Sequence, residues 1–138
     1  SKYNFVEEKE DISHYIYFAD IFIGDSITMS VEACVLGTLS VEYDSWWSKF
    51  KQMKYLSETN LLIGINPGKI TRLIAVLKNI INNFDDFQDK VDFGRKKLLS
   101  EKMDVTLFQY WLINNFPESI SEISINKEIK KRFYTQVG

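Results

Sequence analysis

The stretch His14-Tyr15-Ile16-Tyr17-Phe18-Ala19-Asp20-Ile21-Phe22-Ile23-Gly24-Asp25-Ser26-Ile27-Thr28-Met29-Ser30-Val31-Glu32-Ala33-Cys34-Val35 decides how the chain is read. Its first half is rich in aromatic and β-branched residues, which suit a pleated, half-buried surface, and Gly24-Asp25 follows as a two-residue hairpin signal. From Ile27 the residues Ile27, Met29, Val31, Ala33 and Val35 alternate with Thr28, Ser30, Glu32 and Cys34, a period of two. With Gly24-Asp25 as the turn, Phe22 faces Ile27, Phe18 faces Val31, Ile16 faces Ala33 and His14 faces Val35. The apolar faces of the two runs then coincide, so the spacing predicts an antiparallel pair. The other face carries Tyr15 against Cys34, Tyr17 against Glu32 and Ile21 against Thr28, a mixed surface open to water or to a partner.

Beyond Gly37 the alternation resumes with Leu39, Val41 and Tyr43, as a bend of the second strand or a short third one. A helix starting near Thr38 is the competing reading, because Leu39, Tyr43, Trp46, Trp47 and Phe50 also fit a period of 3.6. From Asp44 a helix is expected on either view, capped by Asp44 or Ser45, with Trp46, Trp47, Phe50 and Met53 as its apolar stripe. Leu61 to Ile65 is a short apolar run closed by Asn66-Pro67-Gly68, a buried strand or a loop entering a helix. Ile70, Leu73, Ile74, Leu77, Ile80, Ile81 and Phe84 then recur at helical spacing. Asp85-Asp86 opens a further helix with Phe87, Val91, Gly94 and Leu98 on one stripe. Asp104 caps another over Val105 to Asn115, which Pro117 ends or redirects. Ile120, Ile123 and Ile125 read as a strand, and Asn126 to Tyr134 as a short basic helix.

Strands first and helices after predict an α+β fold: one domain over 1–138, an N-terminal antiparallel hairpin or small sheet with about four helices packed on it. The 138 residues are 45% hydrophobic and 26% charged with a net charge of −2, the profile of a globular chain and not of a disordered or fibrous one. The N-terminus has neither the basic start nor the apolar run of a signal peptide, and Ile21 to Val41 is interrupted by Asp25 and Glu32. With one cysteine, Cys34, no internal disulfide forms. A cytoplasmic protein that does not enter the membrane is therefore expected.

The chemical alphabet is thin, since His14 is the only histidine. A Cys34–His14 dyad is disfavoured because the predicted pairing projects the two to opposite sides, and no Gly-x-Ser-x-Gly motif is present. Asp85, Asp86, Asp89 and Asp92 cluster, but acids at a helix start are already stabilised by the helix dipole, and no Cys/His metal spacing accompanies them. Neither a metal nor a cofactor is expected. Gly64-Ile65-Asn66-Pro67-Gly68-Lys69-Ile70 falls short of a phosphate loop, having three residues between its glycines and no hydroxyl after the lysine. An anion site at Gly68, Lys69 and Arg72, on the start of the following helix, is the surviving form of that idea. Lys127, Lys130, Lys131 and Arg132 with Phe133 and Tyr134 suggest nucleic acid, which the overall negative charge opposes.

Charge is unevenly spread. Residues 1–44 hold nine acids against Lys2 and Lys9, a net of −7, while the other 94 residues hold ten acids and fifteen bases, a net of +5. Either the acidic part is matched internally by the basic helices or it faces a basic partner. A small domain with 14% aromatic residues, an acidic strand face and little catalytic chemistry reads most economically as a non-catalytic binding protein. The expectation within that class is an immunity protein or inhibitor that occludes the basic active site of a toxic enzyme, with Tyr17, Asp25, Glu32, Glu42 and Asp44 as contacts. Two alternatives stand beside it: a binding protein or enzyme for a small anion or phosphate using the Gly68-Lys69 helix start, and a homo-oligomer subunit that buries Trp46, Trp47, Tyr110 and Trp111.

Overall fold

The computed structural model describes residues 11–134, with every side chain in that range except that of Lys127. The acidic run Glu7, Glu8 and Glu10 lies outside the described residues. Two compact units are distinguished within the chain, one up to Arg95 and one from Lys96, and each is described by itself. Among the described residues no helix is long and apolar enough to cross a membrane.

In the first unit the elements run α1 (Ile12–Phe18), β1 (Ile21–Gly24), α2 (Ile27–Leu36), β2 (Leu39–Glu42), a 3-10 turn (Trp47–Lys49), α3 (Lys51–Glu58), β3 (Leu62–Gly64), α4 (Ile70–Asn82) and the start of α5 (Phe84–Glu101). The expected hairpin is not formed. The sheet is three-stranded, ordered β1-β2-β3, and both pairings are parallel, with Ile21 opposite Leu39 and Ser40 opposite Leu62. The segment read as the second strand is the helix α2, and residues 14–18 of the first lie in α1.

The period of two was misleading for a physical reason. What α2 buries is Ser30, Ala33 and Cys34, a helical i, i+3, i+4 set of small residues, whereas Ile27, Met29 and Val31 are only half-buried and Val35 is exposed. Gly37 ends α2 in the left-handed region at φ 95°, which lets Gly37 N–H and Thr38 N–H both donate to the Ala33 carbonyl, at 3.0 and 2.9 Å. The chain thus enters β2 at once. Parallel neighbours need such a crossover, and a two-residue turn cannot supply it.

All four residues of β2 are buried, as its central place requires. α2 packs against β1 and β2, α3 packs against β3, and the two helices touch, so they share one face of the sheet. The strand after Gly37 and the apolar run at 61–65 are therefore strands as read, and the helix near Thr38 is not formed. The helix expected from Asp44 begins only at Lys51; of its proposed stripe Met53 is buried while Trp46 and Phe50 are exposed. α4 matches its expected span, yet only Ile80 is fully buried, with Ile70, Ile74 and Ile81 exposed. On α5, Val91 and Gly94 are buried as their spacing implied. Arg95 donates from Nε to the Val35 carbonyl at 2.8 Å, placing a cation at the C-terminus of α2.

The second unit takes the end of α5, then α6 (Val105–Asn114), α7 (Glu118–Ile125) and a 3-10 stretch (Lys127–Phe133). Asp104 caps α6 as expected, accepting from Leu107 N–H at 2.8 Å. Phe108, Trp111 and Phe133 form an aromatic cluster with ring centroids 5.3 to 6.0 Å apart. The strand expected at Ile120 to Ile125 is instead α7, whose Ser119 hydroxyl donates to the Leu112 carbonyl at 2.8 Å.

Gly94 offers a sharp test of this packing. A Cβ there would stand 2.0 Å from the Thr59 carbonyl oxygen, which is backbone and cannot step aside. Glycine to alanine inside a helix ordinarily stabilises by about 0.5–1 kcal/mol. Gly94→Ala is expected to do the reverse, costing about 1–3 kcal/mol by overpacking. Urea denaturation of the variant checks this; unchanged or increased stability would mean that α5 does not approach Thr59 so closely.

Candidate functional site

Parallel strands place their carboxyl ends side by side, so the loops leaving β1, β2 and β3 are neighbours. They are also tied together. Tyr43 N–H donates to the Gly24 carbonyl at 2.7 Å, Ile65 N–H to the Glu42 carbonyl at 2.8 Å, and Gly68 N–H to the Tyr43 hydroxyl at 3.0 Å. Trp47 Nε1–H donates to Asn66 Oδ1 at 3.1 Å. Gly64 has a steric role here, because a Cβ on it would stand 2.1 Å from the Trp47 ring. Only glycine lets the indole lie flat against β3.

The carboxyl edge is electrostatically divided. Asp25 follows β1, Glu42 ends β2 and Asp44 follows it, whereas Lys69 and Arg72 follow β3. Glu42 is fully buried; its Oε2 accepts from the Ser30 hydroxyl and its Oε1 has no partner among the described residues. Burial pushes the Glu42 carboxyl above its usual range, the Ser30 hydrogen bond opposes this, and the nearby Asp44 and Asp25 carboxylates add to the rise. Cys34 lies below it, also fully buried, with its thiol donating to the Leu61 carbonyl at 3.2 Å. Burial pushes that thiol up to about 12, so it holds its proton. His14 is exposed on α1 and forms no pair with it.

The residues expected to meet a partner lie on α1, α2, β2 and the loops after β1 and β2. Tyr17 is exposed on α1, stacked edge-on with Phe18. Glu32 is half-buried and accepts from the Ser13 hydroxyl, tying α1 to α2. Asp25 is exposed, while Asp44 is half-buried and uses Oδ2 to accept from Trp46 N–H at 2.8 Å. Glu42, expected at an exposed strand end, has no exposed surface on the central strand. Its place in the sequence pattern looked like an exposed strand end because the neighbouring β3 was not foreseen as pairing there.

Of the anion set, Gly68 adopts φ 82° and Lys69 is exposed beside the start of α4, while Arg72 reaches a cleft along the free edge of β3. That cleft holds about 320 Å³, and Trp47, Asn60, Asn66, Arg72, Phe87 and Lys90 line it. Among the described residues no carboxylate lines it, and neither Arg72 nor Lys90 makes a salt bridge. The Lys90 ammonium lies 5.3 Å from the Phe87 ring centre. Sequence reasoning missed Lys90, Phe87 and Asn66 as site residues, since only folding brings α5 and the β3 loop together; Gly64 followed by a conspicuous tryptophan contact had no sequence signal.

Other candidates resolve locally. Among the described residues no group of three or more His, Cys, Asp or Glu is placed to hold a metal. Lys131 pairs with Glu128 within the basic tail, and Arg132 reaches back to Glu122 of α7 at 3.0 Å. Comparison with models of known families, with characterised proteins and with solved structures finds no match.

Glu42 gives the protein a defined pH dependence. Its folded-state pKa lies above the ordinary 4.5, so the native state keeps a proton that the unfolded chain releases. The stability it contributes is complete below the unfolded value and declines as pH rises through the folded one. The native protein is therefore expected to lose stability as pH is raised from about 4.5, and Glu42→Gln to flatten that slope. Denaturation midpoints across pH compare the two; parallel curves would sink the assignment.

Proposed function

We propose that the chain is a binding domain for a small anion, held in the cleft beside β3. What supports this most is that Arg72 and Lys90 line the cleft and no carboxylate does so among the described residues, in a chain whose net charge is −2. Two cations at one concavity, without a salt bridge among the described residues, attract an anion, and Ser57, Asn60 and Asn66 supply neutral hydrogen-bonding groups there. In open parallel sheets the loops at the carboxyl ends of strands carry ligand sites, often at a reversal of strand order. The order β1-β2-β3 has no reversal, and the hollow opens along the outer edge instead. The acids after β1 and β2 repel an anion from their side, which favours the β3 side again. Lys69 and the turn at Gly68 stand at the mouth of α4, where they strengthen the field without being needed as ligands.

A second reading, the partner-binding inhibitor of a toxic enzyme, keeps one observation in its favour. Tyr15, Tyr17 and Phe18 are exposed together on α1, with exposed Asp20 after them. Aromatic groups beside acids suit a basic protein partner. The two readings use different surfaces, so they separate experimentally.

Inorganic phosphate is expected to raise Tm, since a ligand at ten times its Kd stabilises the native state by about 1.4 kcal/mol, a few degrees for a domain of this size. Arg72→Ala and Lys90→Ala should each blunt the shift, and Tyr17→Ala should leave it intact. Differential scanning calorimetry with phosphate and sulfate decides this. An identical Tm with and without either ion overturns the anion reading; capture of a stoichiometric basic protein that Tyr17→Ala abolishes would favour the inhibitor.

A further inference from the structure

We infer that the anion taken by the β3 cleft is a phosphate monoester carrying a single flat ring, the ring lying on Trp47 and the phosphate between Arg72 and Lys90; this rests on the anion-binding reading above. Two observations select the ring. Trp47 is a prearranged flat wall: Gly64 beneath it has no Cβ to displace it, Asn66 Oδ1 holds its Nε1–H at 3.1 Å, and the 3-10 turn Trp47–Lys49 fixes its backbone. An aromatic group locked in this way stacks on a ligand without losing rotamer freedom at binding. The Phe87 ring is already occupied on one side by the Lys90 ammonium, which leaves Trp47 as the stacking surface of the cleft.

The phosphate follows from charge and geometry. A monoester carries nearly two negative charges at neutral pH, matching the two cations, where a carboxylate carries one. Arg72 presents a planar fork suited to two phosphate oxygens, and Lys90 a compact point charge for the third. Volume sets the size. At about 320 Å³ the cleft stands at the low end for ligand sites, enough for one ring and one phosphate and too small for two ring systems with a pyrophosphate.

The test is isothermal titration of the protein with phenyl phosphate, ethyl phosphate, benzoate and inorganic phosphate at neutral pH. Phenyl phosphate is expected to bind about tenfold or more tightly than ethyl phosphate, because only it buries a ring. It should also outcompete benzoate, and its affinity should fall below about pH 6 as the phosphate takes up a proton. Trp47→Leu should erase the preference for phenyl over ethyl phosphate, while Arg72→Ala weakens both by about tenfold. Equal affinity for phenyl and ethyl phosphate overturns the ring assignment and leaves the anion reading standing. Benzoate binding as tightly as phenyl phosphate overturns the phosphate assignment. If none of the four binds, the anion reading itself fails. Should Trp47→Leu not fold, the ligand series on the unaltered protein still decides the matter.

Discussion

The first unit depends on how closely α2 can lie against β2. Three small side chains, Ser30, Ala33 and Cys34, make the contact, and all are buried. Their size is what brings the Ser30 hydroxyl to Glu42 and the Cys34 thiol to the Leu61 carbonyl. A helix with leucine or phenylalanine at these positions would stand farther off, and neither hydrogen bond would reach. Because α2 sits there, β1 and β2 are joined by a crossover and run parallel. With β2 in the centre, β3 can then pair on its other side and present a free edge. The cleft lies along that edge, which no described strand pairs, and α3, α4 and α5 contribute residues around it.

Much of the outline was legible in the sequence, and the failures share a cause. α4 and α6 were readable because their apolar spacing or capping residue is explicit, as in Ile70 to Ile80 or Asp104 before Val105. The strand after Gly37 and the run at 61–65 were readable as short apolar segments. α1 and α2 were not, because hydrophobic periodicity assumes that the buried face is the most apolar one. In α2 the buried face is serine, alanine and cysteine, and the larger residues ring the helix. Gly37 was noticed as a punctuation mark, but its role as a left-handed helix end belongs to a helix reading that the aromatic content of 14–23 had displaced. At Ile120 to Ile125 the error was similar: alternating serine and isoleucine mimic a strand, while the turn after Pro117 starts a helix.

The candidate site was half visible. Gly68, Lys69 and Arg72 stood out because a glycine turn with basic residues opens a helix, which is a local feature. The rest required tertiary structure. Lys90 is eighteen residues beyond Arg72 on a different helix, and Trp47 precedes both by a full βα unit. The uneven charge noted in the sequence also shows in three dimensions at the sheet edge, while the ion pairs Lys131–Glu128 and Arg132–Glu122 lie within 122–132. Acids and bases are separated along the carboxyl edge of the sheet, with Asp25 and Asp44 toward one side and Lys69 and Arg72 toward the other.

Glu42 has a part in that separation. An ionised carboxylate on the central strand would place its charge between Asp25 and Asp44 and the cationic side, where it would repel an anion at β3 as well as its neighbouring acids. Burial, first, and then those same neighbours push its carboxyl above the usual range and so favour the protonated form. The acids after β1 and β2 therefore act twice: they add to the local negative field, and they favour the uncharged form of the buried group beside them, which opposes a third negative charge at the same edge.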